Sequence, residues 1–176
     1  MYSPSKAWRV LTVLGLASAA VVPFTAAQAS PAVDRRQDNE SRIVMYPVNG
    51  KCLDVKDVSQ ADGAPIIQYT CGNGANQRFV VTVLGGNEVE IRTFAGKCLD
   101  VKDRSQADGT PIIQYTCGGA YNQRFKIVSV AGGGYEIQTF ANKCLDVMDR
   151  SYADGAPIIQ NACKPEGNQQ FAFEPV

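Results

Sequence analysis

Residues 51–79 read KCLDVKDVSQADGAPIIQYTCGNGANQRF. The same words return at 97–125, where 24 of the 29 positions are identical without a gap. They return again at 143–171, where 19 of 29 match the second copy. The six cysteines keep the same step. Cys52, Cys98 and Cys144 are 46 residues apart, and so are Cys71, Cys117 and Cys163. Working outward gives three units, 39–84, 85–130 and 131–176. A fixed period of this length marks a repeat architecture.

Each unit reads as β structure. In the second, Val89 to Phe94 alternates in polarity, as a half-buried strand does. A short turn, Ala95-Gly96, leads into a strand over Lys97 to Val101, and Asn49-Gly50 is the matching hairpin signal in the first unit. Asp62-Gly63, Asp108-Gly109 and Asp154-Gly155 mark a second turn. Pro-Ile-Ile-Gln and Asn-Gln-x-Phe introduce two further strands, about four per unit. No stretch carries a helical stripe of useful length.

One such unit has a single apolar face and cannot bury it alone, so three copies must share a core. A propeller needs at least four blades. A solenoid needs distinct capping repeats, and these copies are too alike. Three units of four strands around a pseudo-threefold axis predict an all-β chain, a β-trefoil. Phe79, Phe125 and Phe171 are its expected core anchors.

The N-terminus points to export. Lys6 and Arg9 precede an apolar run from Val10 to Val22, and Ala27-Gln28-Ala29 is a small-x-small cleavage pattern. This predicts a signal peptide over 1–29 and a linker or short propeptide over 30–38, with Arg35-Arg36 a possible processing point. The run is too short to span a bilayer, and no later segment is apolar enough to do so. The expected location is extracellular, where disulfides persist.

Composition excludes several functions. There is no histidine, so no Ser-His-Asp or Cys-His catalysis and no His-ligated zinc. Lys plus Arg equals Asp plus Glu at 17 each. After the leader, 15 basic residues face 17 acidic ones, a charge of −2. That balance argues against nucleic acid as a partner. Asp54, Asp57 and Asp62 lack the spacing of an EF-hand, and Asp57, Asp103 and Asp149 read as solvated turn residues. No Cys-x-x-Cys occurs, which disfavours zinc. No metal and no cofactor are expected.

The succession Cys-Leu-Asp-Val, Ala-Asp-Gly, Gln-Tyr-Thr-Cys and Asn-Gln-x-Phe resembles the ricin B-type lectin family. The resemblance runs from about residue 42 to the end. It implies a β-trefoil that binds glycans, often galactose-type sugars. A single Asp repeated with the fold, and not a paired set of acids, points to binding and not to an enzyme. The family usually has Gln-x-Trp where this chain has Gln-x-Phe. Phe keeps an apolar anchor with less volume. Repeat symmetry narrows the fifteen possible cysteine pairings to those every copy can make. Within-unit bonds, Cys52–Cys71, Cys98–Cys117 and Cys144–Cys163, are the simplest of these and match the resemblance.

Alternation places Cys52 and Asp54 on one strand face, and Tyr69 and Cys71 on one face of another. A bond between the two cysteines would make Asp54 and Tyr69 neighbours, and likewise Asp100 and Tyr115. A carboxylate accepts from two sugar hydroxyls, and a tyrosine ring offers an apolar face to a pyranose. The resemblance assigns sugar binding to Asp54, Tyr69, Asn76 and Gln77, then to Asp100, Tyr115, Asn122 and Gln123. Asn would complete the polar ring and Gln would brace it. In the third unit Asp146, Asn168 and Gln169 persist, but Asn161 replaces the tyrosine and Lys164 to Gly167 replaces a glycine-rich loop. This is expected to be a degenerate site. Ile67-Gln68 departs from many relatives, which place Gln one position earlier. Two other functions fit a secreted trefoil: a polysaccharide-binding module and a protease inhibitor acting through one exposed loop.

Overall fold

The computed structural model describes residues 40–46 and 50–176. The leader and linker expectations, and Asn49, lie outside the described residues. Everything described belongs to one compact unit.

Twelve strands follow in order: β1 (Glu40–Met45), β2 (Lys51–Val55), β3 (Ile66–Thr70), β4 (Phe79–Gly85), β5 (Glu88–Thr93), β6 (Cys98–Val101), β7 (Thr110–Tyr115), β8 (Phe125–Ser129), β9 (Tyr135–Thr139), β10 (Cys144–Val147), β11 (Ala156–Asn161) and β12 (Phe171–Pro175). Short 3-10 turns are the only helical elements among the described residues. Six strands pair antiparallel in a closed ring, β1–β4–β5–β8–β9–β12 and back to β1. The other six form hairpins β2–β3, β6–β7 and β10–β11. Those hairpins meet through β11–β3, β11–β7 and the Pro65–Ile113 bridge. A barrel of six strands with three hairpins over one end is a β-trefoil. Ring closure leaves no long open edge, which protects a sheet protein from edge-to-edge association.

The core repeats with the sequence. Leu53, Leu99 and Leu145, Ile66, Ile112 and Ile158, and Phe79, Phe125 and Phe171 are at most 1% exposed and share one apolar cluster. Burial of each such side chain contributes about 1.5–3 kcal/mol. The Asp-Gly turns are confirmed, with Gly63, Gly109 and Gly155 at φ of 79° to 86°, where a Cβ would be strained.

Two sets of polar contacts run between units in a cycle. Gln114 donates to the Ser59 and Ala61 carbonyls at 2.8 and 2.9 Å and accepts from the Thr93 hydroxyl at 2.9 Å. Gln160 does the same to Ser105, Ala107 and Thr139. Gln68 completes the circle by donating to the Ser151 and Ala153 carbonyls. All three amides are buried. Outside them, Lys97 pairs with Asp62, Lys143 with Asp108 and Lys51 with Asp154 at 2.6 to 2.7 Å. The Asp of each Asp-Gly turn therefore also ties its loop to the next unit.

Candidate functional site

The three disulfides join Cys52 to Cys71, Cys98 to Cys117 and Cys144 to Cys163. Each ties the start of one hairpin strand to a cysteine one or two residues past its partner strand. In the first hairpin Cys52 faces Tyr69 and Asp54 faces Ile67. Asp54 and Tyr69 are thus diagonal neighbours across the pair, within reach of long side chains. Cys98–Tyr115 and Asp100–Ile113 repeat the register in the second unit.

β2, β6 and β10 are buried on both faces, so the aspartates sit at 5% exposure rather than on an open wall. A buried carboxylate must be hydrogen-bonded. Gln77 Nε2 donates to Asp54 Oδ2 at 2.9 Å and to the Thr70 carbonyl at 3.0 Å, while its Oε1 accepts from the Gly72 amide at 2.7 Å. Gln123 makes the same three bonds to Asp100, Thr116 and Gly118. Gln169 makes them to Asp146, Ala162 and Lys164. The glutamine fixes the carboxylate and the loop after the cysteine in one stroke.

The first unit's asparagine is placed differently from the other two. Asn122 Nδ2 donates to Asp100 Oδ1 at 2.8 Å and to the Val101 carbonyl at 3.1 Å, and Asn122 is buried. Both of its N–H groups are thereby spent on holding the aspartate. Asn76 donates to the Val55 carbonyl at 3.3 Å, also pulls on the Asp54 carboxyl, and is half-buried. Gly74 explains the contrast: a Cβ there would lie 2.5 Å from Asn76 Oδ1, and the second unit carries Ala120 at that place. Burial pushes the carboxyls of Asp54, Asp100 and Asp146 above the ordinary 3.8, against the pull of the Gln and Asn hydrogen bonds.

Beside each of the first two aspartates lies a ring. Tyr69 and Tyr115 are 46% and 47% exposed, large apolar faces left open to solvent. In the second unit a groove of about 380 Å³ joins Asp100, Tyr115, Asn122 and Gln123. Asp103 and Arg104 also line it. Asp103 is an exposed turn residue, as its sequence context suggests, but it turns at the groove's edge. Arg104 was not anticipated. Its signal is variation within a near-constant repeat, since Val58, Arg104 and Arg150 occupy one position. In the third unit Asp146, Asn168 and Gln169 keep the same bonds, but Asn161 has no ring to offer and its Oδ1 accepts from the Ala162 amide.

The family profile of the ricin-type beta-trefoil lectin domain-like proteins matches residues 32–115 and 93–161. The chain belongs to that family. Among solved structures, the ricin-type domain is similar to ThreeFoil, a designed threefold symmetric protein, with 35% identity and a TM-score of 0.76. That likeness covers 79% of this chain and all of the other. It is also similar to an exo-beta-1,3-galactanase from Clostridium thermocellum, with 34% identity and a TM-score of 0.74 over 78% of this chain and 30% of the galactanase. The Rhizoctonia solani agglutinin shares the fold at 21% identity and a TM-score of 0.69, over 79% of this chain and 96% of its own. No curated protein sequence matches the chain. Family and fold together support carbohydrate binding. The three disulfides are compatible with an extracellular protein. No helix among the described residues is long and apolar enough to cross a membrane.

Proposed function

We propose that the chain is a secreted lectin that binds galactose-type sugars through two working grooves. One is built on Asp54, Tyr69, Asn76 and Gln77, the other on Asp100, Tyr115, Asn122 and Gln123. The observation that carries this reading is a buried carboxylate held rigid by a glutamine beside a half-exposed tyrosine ring, present twice. A fixed acceptor and a flat apolar face are what a pyranose needs for its hydroxyls and its C–H face. Preorganisation by Gln77 and Gln123 reduces the ordering penalty on binding. The likeness to a galactanase supports the galactose-type choice. The aspartates recur singly with the fold rather than as the close acid pair of a glycosidase, so the proposal is binding without catalysis. Asp146 and its partners form a weaker third groove for want of a ring.

Calorimetric titration with lactose and β-1,3-galactobiose tests this. Asp54→Asn and Asp100→Asn should each weaken one site by about 10- to 100-fold, as expected for loss of a charge-assisted hydrogen bond. The double variant should lose both grooves, its affinity for each sugar falling at least about 10-fold, with an unchanged circular dichroism spectrum. Undiminished affinity in that double variant would sink the proposal. A protease inhibitor would be indifferent to both changes, and a polysaccharide module would favour insoluble polymer over lactose.

Acid should separate binding from folding. Asp54 and Asp100 have raised pKa values, so they protonate first as pH falls, and a protonated carboxyl gives up the charge that strengthens its bonds to sugar hydroxyls and turns one oxygen into a donor. Asp62, Asp108 and Asp154 are held below 3.8 by hydrogen bonds from Lys97, Lys143 and Lys51. Their contribution is present above 3.8 and is lost only as pH drops through the lowered values. Lactose affinity should therefore fall with a midpoint above 3.8 while tyrosine near-ultraviolet dichroism stays native. A binding midpoint below 3.8 would contradict the assignment of the buried aspartates as sugar acceptors.

A further inference from the structure

The three seams between units are not alike. Between the second and third units the seam is filled. Tyr121 packs edge-on against Phe140 with ring centroids 4.8 Å apart, and the Arg104 guanidinium lies 5.9 Å over the Tyr121 ring. Between the third and first units, Gly167 stands where the second unit has Tyr121. Among the described residues no side chain plugs that seam, and a cavity of about 340 Å³ opens there.

The repeat breaks at this cavity in a directed way. Its lining includes Tyr46, where the other units have Arg92 and Gln138, and Tyr152, where they have Gln60 and Gln106. Tyr152 is 75% exposed. Its backbone is nevertheless pinned on both sides, because Gln68 donates to the carbonyls of Ser151 and Ala153. Tyr46 is anchored by its hydroxyl on the Gly132 carbonyl at 2.9 Å. Met45 and Val147 give an apolar floor. Arg150 and Glu166 line the groove as an ion pair, so this edge adds no net charge.

We infer that this seam is an additional saccharide groove, distinct from those built on Asp54 and Asp100, and that it takes a neutral pyranose residue. The inference rests on the lectin reading above. The Tyr152 ring, carried on a held backbone, receives the C–H face. Glu166, Arg150 and Ser151 present acceptors and donors to hydroxyls. A self-neutralised ion pair disfavours an anionic ligand, which would have to displace Glu166 from Arg150. The chain thereby regains in the seam the aromatic surface that Asn161 removes from the third unit's own groove.

The test is amide NMR of the isotope-labelled protein titrated with β-1,3-galactotriose. Saturable shifts are expected at Tyr152, Gly167 and the Gln68 side-chain amide. They should persist in the Asp54→Asn/Asp100→Asn variant. Gly167→Tyr, which supplies the plug found in the neighbouring seam, should abolish them, and Tyr152→Ala should weaken the seam affinity at least about tenfold. The first change is tolerable because a Cβ at Gly167 meets nothing closer than the Tyr46 carbonyl at 3.8 Å. Shifts confined to the Asp54 and Asp100 grooves, or seam shifts that survive Gly167→Tyr or vanish with the two aspartates, overturn the inference and leave the lectin reading standing. No saturable shift anywhere overturns both.

Discussion

Phe125→Ala is expected to destabilise the domain by about 3–5 kcal/mol, the range for deleting a buried aromatic from a packed core. Phe125 is 1% exposed, and its counterparts Phe79 and Phe171 are fully buried in the same cluster. Each unit contributes one ring to an interior that no unit could fill alone. A total stability of about 5–15 kcal/mol makes this one change a large fraction of the whole. Urea denaturation should show the midpoint falling with little change in slope. A loss under about 1 kcal/mol would mean that the site repacks freely, against the density of protein interiors, and that the three rings are not a common anchor.

Gln114→Ala should be nearly as severe, at about 2–4 kcal/mol, for a different reason. It strands two loop carbonyls, Ser59 and Ala61, and the Thr93 hydroxyl. Leaving a buried polar group such as the Thr93 hydroxyl unpaired costs about 1–3 kcal/mol, and less at the part-buried Ser59 and Ala61 carbonyls, where water can enter. The same change at Gln68 should be milder. Gln68 holds two carbonyls, and the position matching Thr93 in the first unit is Pro47, which has no hydroxyl to strand. Denaturation midpoints of the two variants, measured side by side, check this order. Equal losses would show that the threonine bond adds nothing.

The barrel was legible because its cause recurs. The step of 46, the alternation in Val89 to Phe94 and the apolar triplets all report contacts within a unit or at a shared axis. Predicted strand edges differ from β5 and β6 by about a residue, as fraying ends do. The cyclic contacts were not legible. Gln68, Gln114 and Gln160 recur as faithfully as Gln77, Gln123 and Gln169, yet one set reaches into the neighbouring unit and the other folds back on its own aspartate. A repeat names the residue three times but does not say which copy it touches. The role of Asn122 was hidden for a related reason. Its hydrogen-bonding capacity was evident, but its burial beside Asp100 depends on packing that a pattern of letters does not contain. The open seam arises from departures, Gly167 and Tyr152, whose meaning appears only when three like places are compared in space.

The ring has a topological consequence. Strand β1 lies against β12, and the Val176 amide donates to the Glu40 carbonyl at 3.3 Å. Elsewhere in the ring β4 and β5 are joined by Gly86-Asn87, both at positive φ in a tight exposed turn. A polypeptide relinked from 176 to 40 and cut between 86 and 87 would retain every strand pair in the barrel. In the language of permutation, the assembly has an order but no first member, and the place where synthesis starts is a convention that the contacts do not record.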